Sequence, residues 1–380
     1  LTGTYNDREN QFTPGPATGS WRVLNSQNNP TQYSERYRGI ARFRHRLGSS
    51  EGAKDAASAN RVSISNASYT LQFGFERGNS LQYDPRHGDN FFNYGYIGRF
   101  NYDYVPFINI DGAGNIKHID NTELYTGYQA GYVNPAGNIV VPNPGLNAYN
   151  VFAQEDDFNS FLNTNGRFNN TYDDIWSSMF TNVNSVFNTY QKSEDDILTG
   201  IASASFDLKL GKTGTHTIQF GLLTEQRTNR DWNLAPRNIW NLMNLATNNH
   251  FNGLDSTTVI GRIWDPIFSP ITGDSFDVYA NAVVNLDDFR FYRKIREQKG
   301  IPLSQWLNPN SLSPEELNLS MFSPRELTDQ NLINYYGYDY LGEKLSNNIT
   351  FNDFFTSTDA DGIRDFPVAP LRPLYQAAYL

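Results

Sequence analysis

The sequence contains no cysteine, so neither disulfide bridges nor thiol chemistry contribute to it. No apolar run approaches the roughly 18 residues that a membrane helix needs. Basic residues are not in surplus: 30 Lys and Arg stand against 40 Asp and Glu, a formal charge of -10. That balance argues against a nucleic-acid-binding surface. The histidines His45, His87, His118, His216 and His250 are scattered and never paired at ligand spacing. A zinc site needs three or four converging ligands, so each histidine reads as structural or exposed. A Gly-rich phosphate loop, a serine-nucleophile elbow and an HExxH helix are all missing. The acidic pairs Asp156-Asp157, Asp173-Asp174, Asp195-Asp196 and Asp287-Asp288 fall in loops or at strand ends, where solvated surface outweighs a glycosidase pair. No enzymatic activity is expected.

Aromatic residues are abundant. The chain has 23 Tyr and 26 Phe, high for a mean hydropathy of -0.57. Amphipathic rings are favoured where one end is apolar and the other wet, membrane interfaces included. The clearest pattern lies at residues 201–226. Ala202, Ala204, Phe206, Leu208 and Leu210 alternate with Ser203, Ser205, Asp207 and Lys209. Gly211-Lys212-Thr213-Gly214 turns the chain, and Ile218, Phe220 and Leu222 then alternate with Thr217, Gln219 and Gly221. Period-two alternation on both sides of a Gly-bounded loop predicts a β-hairpin with one oily and one wet wall. Two environments offer that boundary: a soluble sheet over a core, or a barrel wall between lipid and water. A barrel strand needs only about 9–11 residues, half of them polar, so low hydropathy does not exclude a membrane.

The same alternation recurs. Residues 1–5 read as a strand end and 7–32 as a loop. Over 37–47, Tyr37, Gly39, Ala41 and Phe43 oppose Arg38, Arg42, Arg44 and Arg46. Arginines two apart on a strand share one face. In a barrel this row lines the lumen; in a soluble sheet it is a solvated face. After a small, polar stretch at 48–62, Ala67, Tyr69, Leu71, Phe73 and Phe75 face away from Ser68, Thr70, Gln72 and Glu76, and the strand continues towards Tyr83. Beyond a turn at 84–88, Tyr94, Tyr96, Phe100, Tyr102 and Tyr104 oppose Asn93, Arg99, Asn101 and Asp103. A tyrosine row this dense predicts a surface at lipid headgroups, with Arg99 on the wet side. Residues 106–120 read as a connection, 123–133 as a weaker strand, and 134–170 as a long loop. The 172–190 stretch is ambiguous between helix and strand.

From 229 to about 372 the alternation stops, apart from a strand at 276–286. Helices are predicted from Ala235-Pro236-Arg237 through Ala246, over 287–299, and at Ser313-Pro314 and Ser323-Pro324, where Ser caps and Pro follows. Residues 373–380 resume an extended pattern. The chain opens at Leu1 without Met or a leader and closes within that pattern, which reads as an internal piece of a longer protein. Connections after Leu47 and Leu210 are short or small; those after Tyr5, Val133 and Gln226 are long. Bacterial outer-membrane barrels have this asymmetry, short periplasmic turns against long outer loops.

Several segments resemble one family: Tyr37-Arg38-Gly39-Ile40-Ala41-Arg42-Phe43-Arg44-His45-Arg46-Leu47, Tyr69-Thr70-Leu71-Gln72-Phe73-Gly74-Phe75-Glu76, Tyr83-Asp84-Pro85-Arg86, Tyr94-Gly95-Tyr96-Ile97-Gly98, Tyr335-Tyr336-Gly337-Tyr338-Asp339-Tyr340 and Pro373-Leu374-Tyr375-Gln376-Ala377-Ala378-Tyr379-Leu380. They resemble the barrel domain of TonB-dependent receptor-like outer-membrane proteins of Bacteroidota, the type with a carboxypeptidase-regulatory-like domain. The resemblance implies an all-β membrane fold. Residues 1–228 would supply strands and loops of a large antiparallel transmembrane barrel. Residues 229–372 would form a long extracellular region with short helices, and 373–380 the start of the next strand. It implies a receptor or transporter in the bacterial cell outer membrane that imports a bulky ligand. The energy-transducing partner of the TonB type would be reached through a plug that these residues do not contain. The alternative role is a non-transporting scaffold or accessory subunit of an outer-membrane complex. A third reading, a secreted β-sandwich binding carbohydrate through exposed Tyr and Trp, places the tyrosine rows inside a core.

No cofactor is expected. Asp359, Asp361 and Asp365, around Gly362, have spacings that suit a calcium loop. The bidentate Glu of an EF-hand is missing, and Asp and Gly favour turns in any case. Asp111-Gly112-Ala113-Gly114-Asn115 reads as turn chemistry.

Overall fold

Six antiparallel strands carry the alternating segments. The computed structural model describes residues 1–14, 26–47, 62–144, 186–210, 214–286 and 288–345. The main sheet runs β1 (Thr2–Gln11), β2 (Thr31–Arg46), β3 (Val62–Tyr83), β8 (Tyr190–Leu210), β9 (Thr215–Leu234) and β12 (Ile333–Tyr336) in that order. The described chain is mostly strand, in antiparallel sheets, with few and short helices. Among the described residues the sheet is open, with β1 and β12 at its ends.

The strands are longer than the alternation suggests. β1 continues to Gln11 and β2 begins at Thr31, through residues expected to be loop. Side chains there are polar on both faces, so periodicity is silent; the pairing Gln11↔Thr31 through Thr2↔Ile40 supplies the backbone partners. β3 has 22 residues, about 73 Å at ~3.3 Å per residue. β9 likewise runs to Leu234, past the point where the pattern stops.

Register fixes two different faces. Opposed residues in an antiparallel pair point the same way. Successive rows on one face are Gly39-Phe75-Leu198, Ala41-Phe73-Gly200-Thr224, Phe43-Leu71-Ala202-Leu222 and His45-Tyr69-Ala204-Phe220, continuing to Phe206-Ile218 and Leu208. The other face carries Arg38-Glu76, Arg42-Gln72-Ile201-Leu223, Arg44-Thr70-Ser203-Gly221 and Arg46-Ser68-Ser205-Gln219. A one-residue slip would exchange the two sets, so the pattern excludes every odd slip of the register. The bulge between Ser65 and Ser68 keeps the oily set in line; Asn66 takes a φ of 52° there, and its amide donates to Asp207 at 2.7 Å.

Above the oily rows a cap packs against the same face. It is built from 84–144 and 235–345: α1 (Phe91–Tyr94), β4 (Arg99–Ile110) paired with β5 (Ile116–Gln129), the small β6 (Tyr132–Val133) and β7 (Ile139–Val140), α2 (Ile239–Thr247), β10 (Phe251–Ile263) paired with β11 (Phe276–Val283), α3 (Ser269–Thr272), α4 (Phe291–Lys299) and α5 (Pro324–Asp329). The connection expected at 106–120 is therefore a hairpin: Pro106 sits within β4 opposite Asn121, and the turn is confined to 111–115. The expected strand at 94–104 divides into α1 and β4. Gly95 makes the close approach that α1 needs, since a Cβ there would stand 2.2 Å from the Arg237 carbonyl oxygen. β10 and β12 lay in stretches without alternation. The four predicted helix regions all start with a helical turn near the expected place, a 3-10 turn at Pro236–Asn238 and at Pro314–Glu316, and α4 and α5 elsewhere.

The hydrophobic core belongs to the cap and the top of the sheet. Tyr190, Trp232 and Leu234 on the strands meet Phe92, Trp240, Phe291, Phe322 and Leu327. Trp232 is the joint: it lies edge-on to Tyr190 at 5.8 Å and tilted to Phe91 at 6.0 Å.

Candidate functional site

The lower wall is exposed on both faces, which makes its apolar side the most unusual surface in the molecule. Phe43, Phe73, Phe75, Leu198, Phe220 and Leu222 are all exposed, Leu222 at 67%. Monomeric soluble proteins rarely leave more than a few hundred Å² of contiguous apolar surface open. From Leu198 to Leu208 the band covers about 33 Å along the strand at ~3.3 Å per residue. At a strand tilt of ~40° that is about 25 Å of height, the thickness of an outer-membrane apolar band. Immediately above the band the face becomes charged. Arg77 Nε donates to Asp196 at 2.6 Å, and buried Arg230 reaches Glu194 at 2.8 Å and Asp196 at 3.2 Å. Lys344 also pairs with Glu194, and Lys192 lies over the Trp232 ring at 5.3 Å.

On the polar face the predicted arginine row is brought together. Arg38 Nε donates to Glu76 at 2.7 Å and Arg42 Nε to Gln72 at 2.7 Å, both across β2–β3. Arg44 lies beside them on the same face. Arg99 does not join the row: it sits on β4 in the cap, paired with Gln129, away from the main sheet. Higher on the polar face, Arg8, Arg36, Ser80 and Asp195 line a groove of about 290 Å³.

The tyrosine row is the main correction. Tyr94, Tyr96 and Tyr102 are 0%, 1% and 7% exposed, inside the cap core rather than at a lipid boundary. The Tyr94 hydroxyl donates to the Gly88 carbonyl at 2.9 Å, and burial pushes its pKa up. Tyr96 meets Trp240 edge-on at 5.0 Å. Tyr104 stacks flat on Trp306 at 4.9 Å and donates to Asn281 at 2.8 Å; burial pushes its pKa up to about 12. A loop-built core offers backbone and amide acceptors, which the Tyr94 and Tyr104 hydroxyls use. The buried Tyr96 hydroxyl has no hydrogen-bond partner among the described residues, and its ring is held by aromatic packing alone. Alternation over 94–104 measured half-burial against protein, not against lipid.

Buried polar clamps hold the cap, and sequence reading missed most of them. Glu326 accepts the backbone N–H groups of Ser323 (2.7 Å), Arg290 (3.2 Å) and Phe291 (3.2 Å). Only its capping-box half was legible, in Ser323-Pro324-Arg325-Glu326. Arg296 donates to Thr247 O and Asn248 Oδ1, both at 2.6 Å, and burial lowers its pKa to about 10. His87 bonds Asn143 at 2.8 Å, and Asn143 donates to the Asn93 and Tyr96 carbonyls. A cleft of about 640 Å³ opens between Asp89, Asn90 and Asn93 on one side and Glu315, Asn318 and Ser320 on the other.

His250 is a testable member of this set. It is fully buried, stacked on Tyr292 at 4.3 Å, and Nε2 meets the Leu303 carbonyl at 2.8 Å. Burial lowers its pKa to about 4 from the ordinary 6.5. Between those values the unfolded chain binds the proton and the folded cap does not, so cap stability falls as pH drops through that window and is full above it. Thermal melting of the cap from pH 7 to 4 should show this loss. In His250→Phe, which keeps a stacked ring, the loss should shrink; an unchanged pH profile would refute the assignment.

Among the described residues no group of three or more His, Cys, Asp or Glu is placed to hold a metal ion. Asp359, Asp361 and Asp365 lie outside the described residues. The Asp111 carboxylate is occupied by the turn it builds: it accepts Ala113 and Asn115 N–H at 2.9 Å each and Lys117 Nζ at 2.8 Å. Among the described residues no helix is long and apolar enough to cross a membrane, which says nothing of strands. No known protein family and no curated protein matches the sequence.

Proposed function

We propose that the chain forms part of the wall of a large transmembrane β-barrel in a bacterial outer membrane, capped on its outer side, and that it serves as a receptor or transporter for a bulky ligand. The observation carrying this reading is the exposed apolar band about 25 Å high on four adjacent strands, backed by a polar face and bounded above by ion pairs. Lipid satisfies the band as solvent cannot. Among the described residues no second sheet covers it, which weighs against a soluble sandwich. The polar face then lines the lumen, with Arg38, Arg42 and Arg44 on it. Import would require a plug and an energy-transducing partner of the TonB type. The test is alkaline extraction of membranes from cells producing the full-length protein. The chain is expected to stay with the membrane and to need detergent; recovery as a folded monomer in plain buffer would overturn the reading.

The scaffold alternative draws on the β10–β11 hairpin. Its rim displays Ile260, Trp264, Ile267 and Ile271, each more than half exposed, on a turn held by Asp265, which accepts Ile267 and Phe268 N–H at 2.9 and 2.8 Å. An apolar rim on a fixed turn suits a docking partner. If the full-length protein takes up no ligand and deletion of 251–283 abolishes co-purification of an outer-membrane partner, the non-transporting scaffold role stands. Ligand uptake, with co-purification unaffected by the deletion, removes it.

A further inference from the structure

The polar face holds a charge arrangement beyond that of a wet lining. Arg42, Arg44 and Arg46 project from β2 at two-residue spacing, about 6.6–6.8 Å apart. All three are exposed. Their cross-strand neighbours are neutral: Gln72, Thr70 and Ser68 on β3, then Ile201, Ser203 and Ser205 on β8. Asp195, the carboxylate of this face that has no partner among the described residues, stands six residues along β8 from Ile201, level with Gly78 and Arg36 and away from the row. The carboxylates nearer the row are engaged. Glu76 is taken by Arg36 and Arg38, Asp207 by Asn66 and Thr217, and Glu225 by Arg227. Arg42 has only the Gln72 amide oxygen. Arg44 and Arg46 have no hydrogen-bond or ion-pair partner among the described residues. A chain with formal charge -10 has set three positive charges in a row on one strand, with no carboxylate directly opposite any of them. Solvated arginines on a convex surface carry little meaning; arginines in a row on an enclosed, low-dielectric wall focus a field and concentrate anions. Guanidinium groups also match phosphate and carboxylate oxygens two at a time.

We infer that the Arg42–Arg44–Arg46 row is an anion-binding track that takes small solutes bearing phosphate or carboxylate groups. The inference rests on the lumen reading above. Each anion would replace the missing acceptors of two neighbouring guanidinium groups, and the ~6.7 Å rungs let it pass from one pair to the next.

Inorganic tripolyphosphate is a suitable probe, titrated calorimetrically into the full-length protein in neutral detergent, with tetraethylammonium chloride as the cationic counterpart. Tripolyphosphate is expected to bind, more weakly as salt rises, and the cation not to bind. The R42Q/R44Q/R46Q variant should lose at least about tenfold in affinity, because each lost charge-assisted hydrogen bond alone is worth that much. The R42K/R44K/R46K variant should recover part of it, which separates charge from fold. Unchanged affinity in the glutamine variant overturns the track. So does absence of binding to folded, membrane-derived protein, including the case in which an acidic protein segment already occupies the row. Failure of the barrel reading is seen separately, as a chain that leaves the membrane on alkaline extraction.

Discussion

Leu222→Arg is expected to destabilise the assembled wall by about 2–4 kcal/mol, the cost of an arginine near the middle of a lipid-facing barrel surface. Leu222 lies opposite Ala202, near the middle of the apolar band. Ser203→Arg provides the contrast. Ser203 follows Ala202 in the chain and faces Gly221 on the polar side, where neighbours are neutral and another arginine is solvated. The two substitutions add the same side chain about one residue apart and should differ by most of that energy. Urea unfolding of the full-length protein in bilayers, followed by heat-modifiable gel mobility, measures the difference. A soluble sheet predicts two mild effects, because an exposed leucine in water loses little on becoming arginine. Equal tolerance of both variants would remove the lipid-facing assignment.

Trp232→Ala should cost about 3–5 kcal/mol, as large buried aromatics do when truncated. Trp232 is 1% exposed and stands on β9 where sheet and cap meet. Its ring touches Tyr190 and Phe91, receives the Lys192 ammonium at 5.3 Å, and its Nε1 donates to the Tyr340 carbonyl at 3.3 Å. Removing it takes away contacts on both sides of the joint, so the loss should fall on the cap while the ladder β2–β3–β8–β9 remains. Limited proteolysis should then cut within 84–144 and 235–345 faster than in the parent protein, with the strand signal in circular dichroism retained. A cap as resistant as before would mean that the joint lies elsewhere.

Legibility of the chain followed burial asymmetry. Where one face is oily and the other wet, as in Ala202 to Leu208, alternation gave strand and face together. Where both faces are polar, as in Asn6–Gln11 and Thr31–Arg36, the strand is set by backbone pairing alone and left no trace in residue type. Where both sides are protein, as at Tyr94–Tyr102, alternation was present but its meaning was not: the same half-polar ring suits a headgroup layer and a loop-built core. Short cues survived at Ser313-Pro314 and Ser323-Pro324, because a cap needs only residues adjacent in sequence. Glu326 reaching Arg290, or Arg296 reaching Thr247, joins residues tens of positions apart, and no local pattern announces such a bond.

The sequence by itself determined the two-faced wall and the alignment of Arg38, Arg42 and Arg44 on one side of it, since a two-residue period leaves each side chain only one of two directions. Which residues stand opposite one another came from strand pairing. Tertiary structure alone decided that the tyrosines enter a core, that 84–144 and 235–345 build one cap, and that Arg99 leaves the row. Those outcomes depend on which distant surfaces meet, and apolar contact is non-directional: a Tyr or Trp packs against whatever apolar partner the fold brings to it.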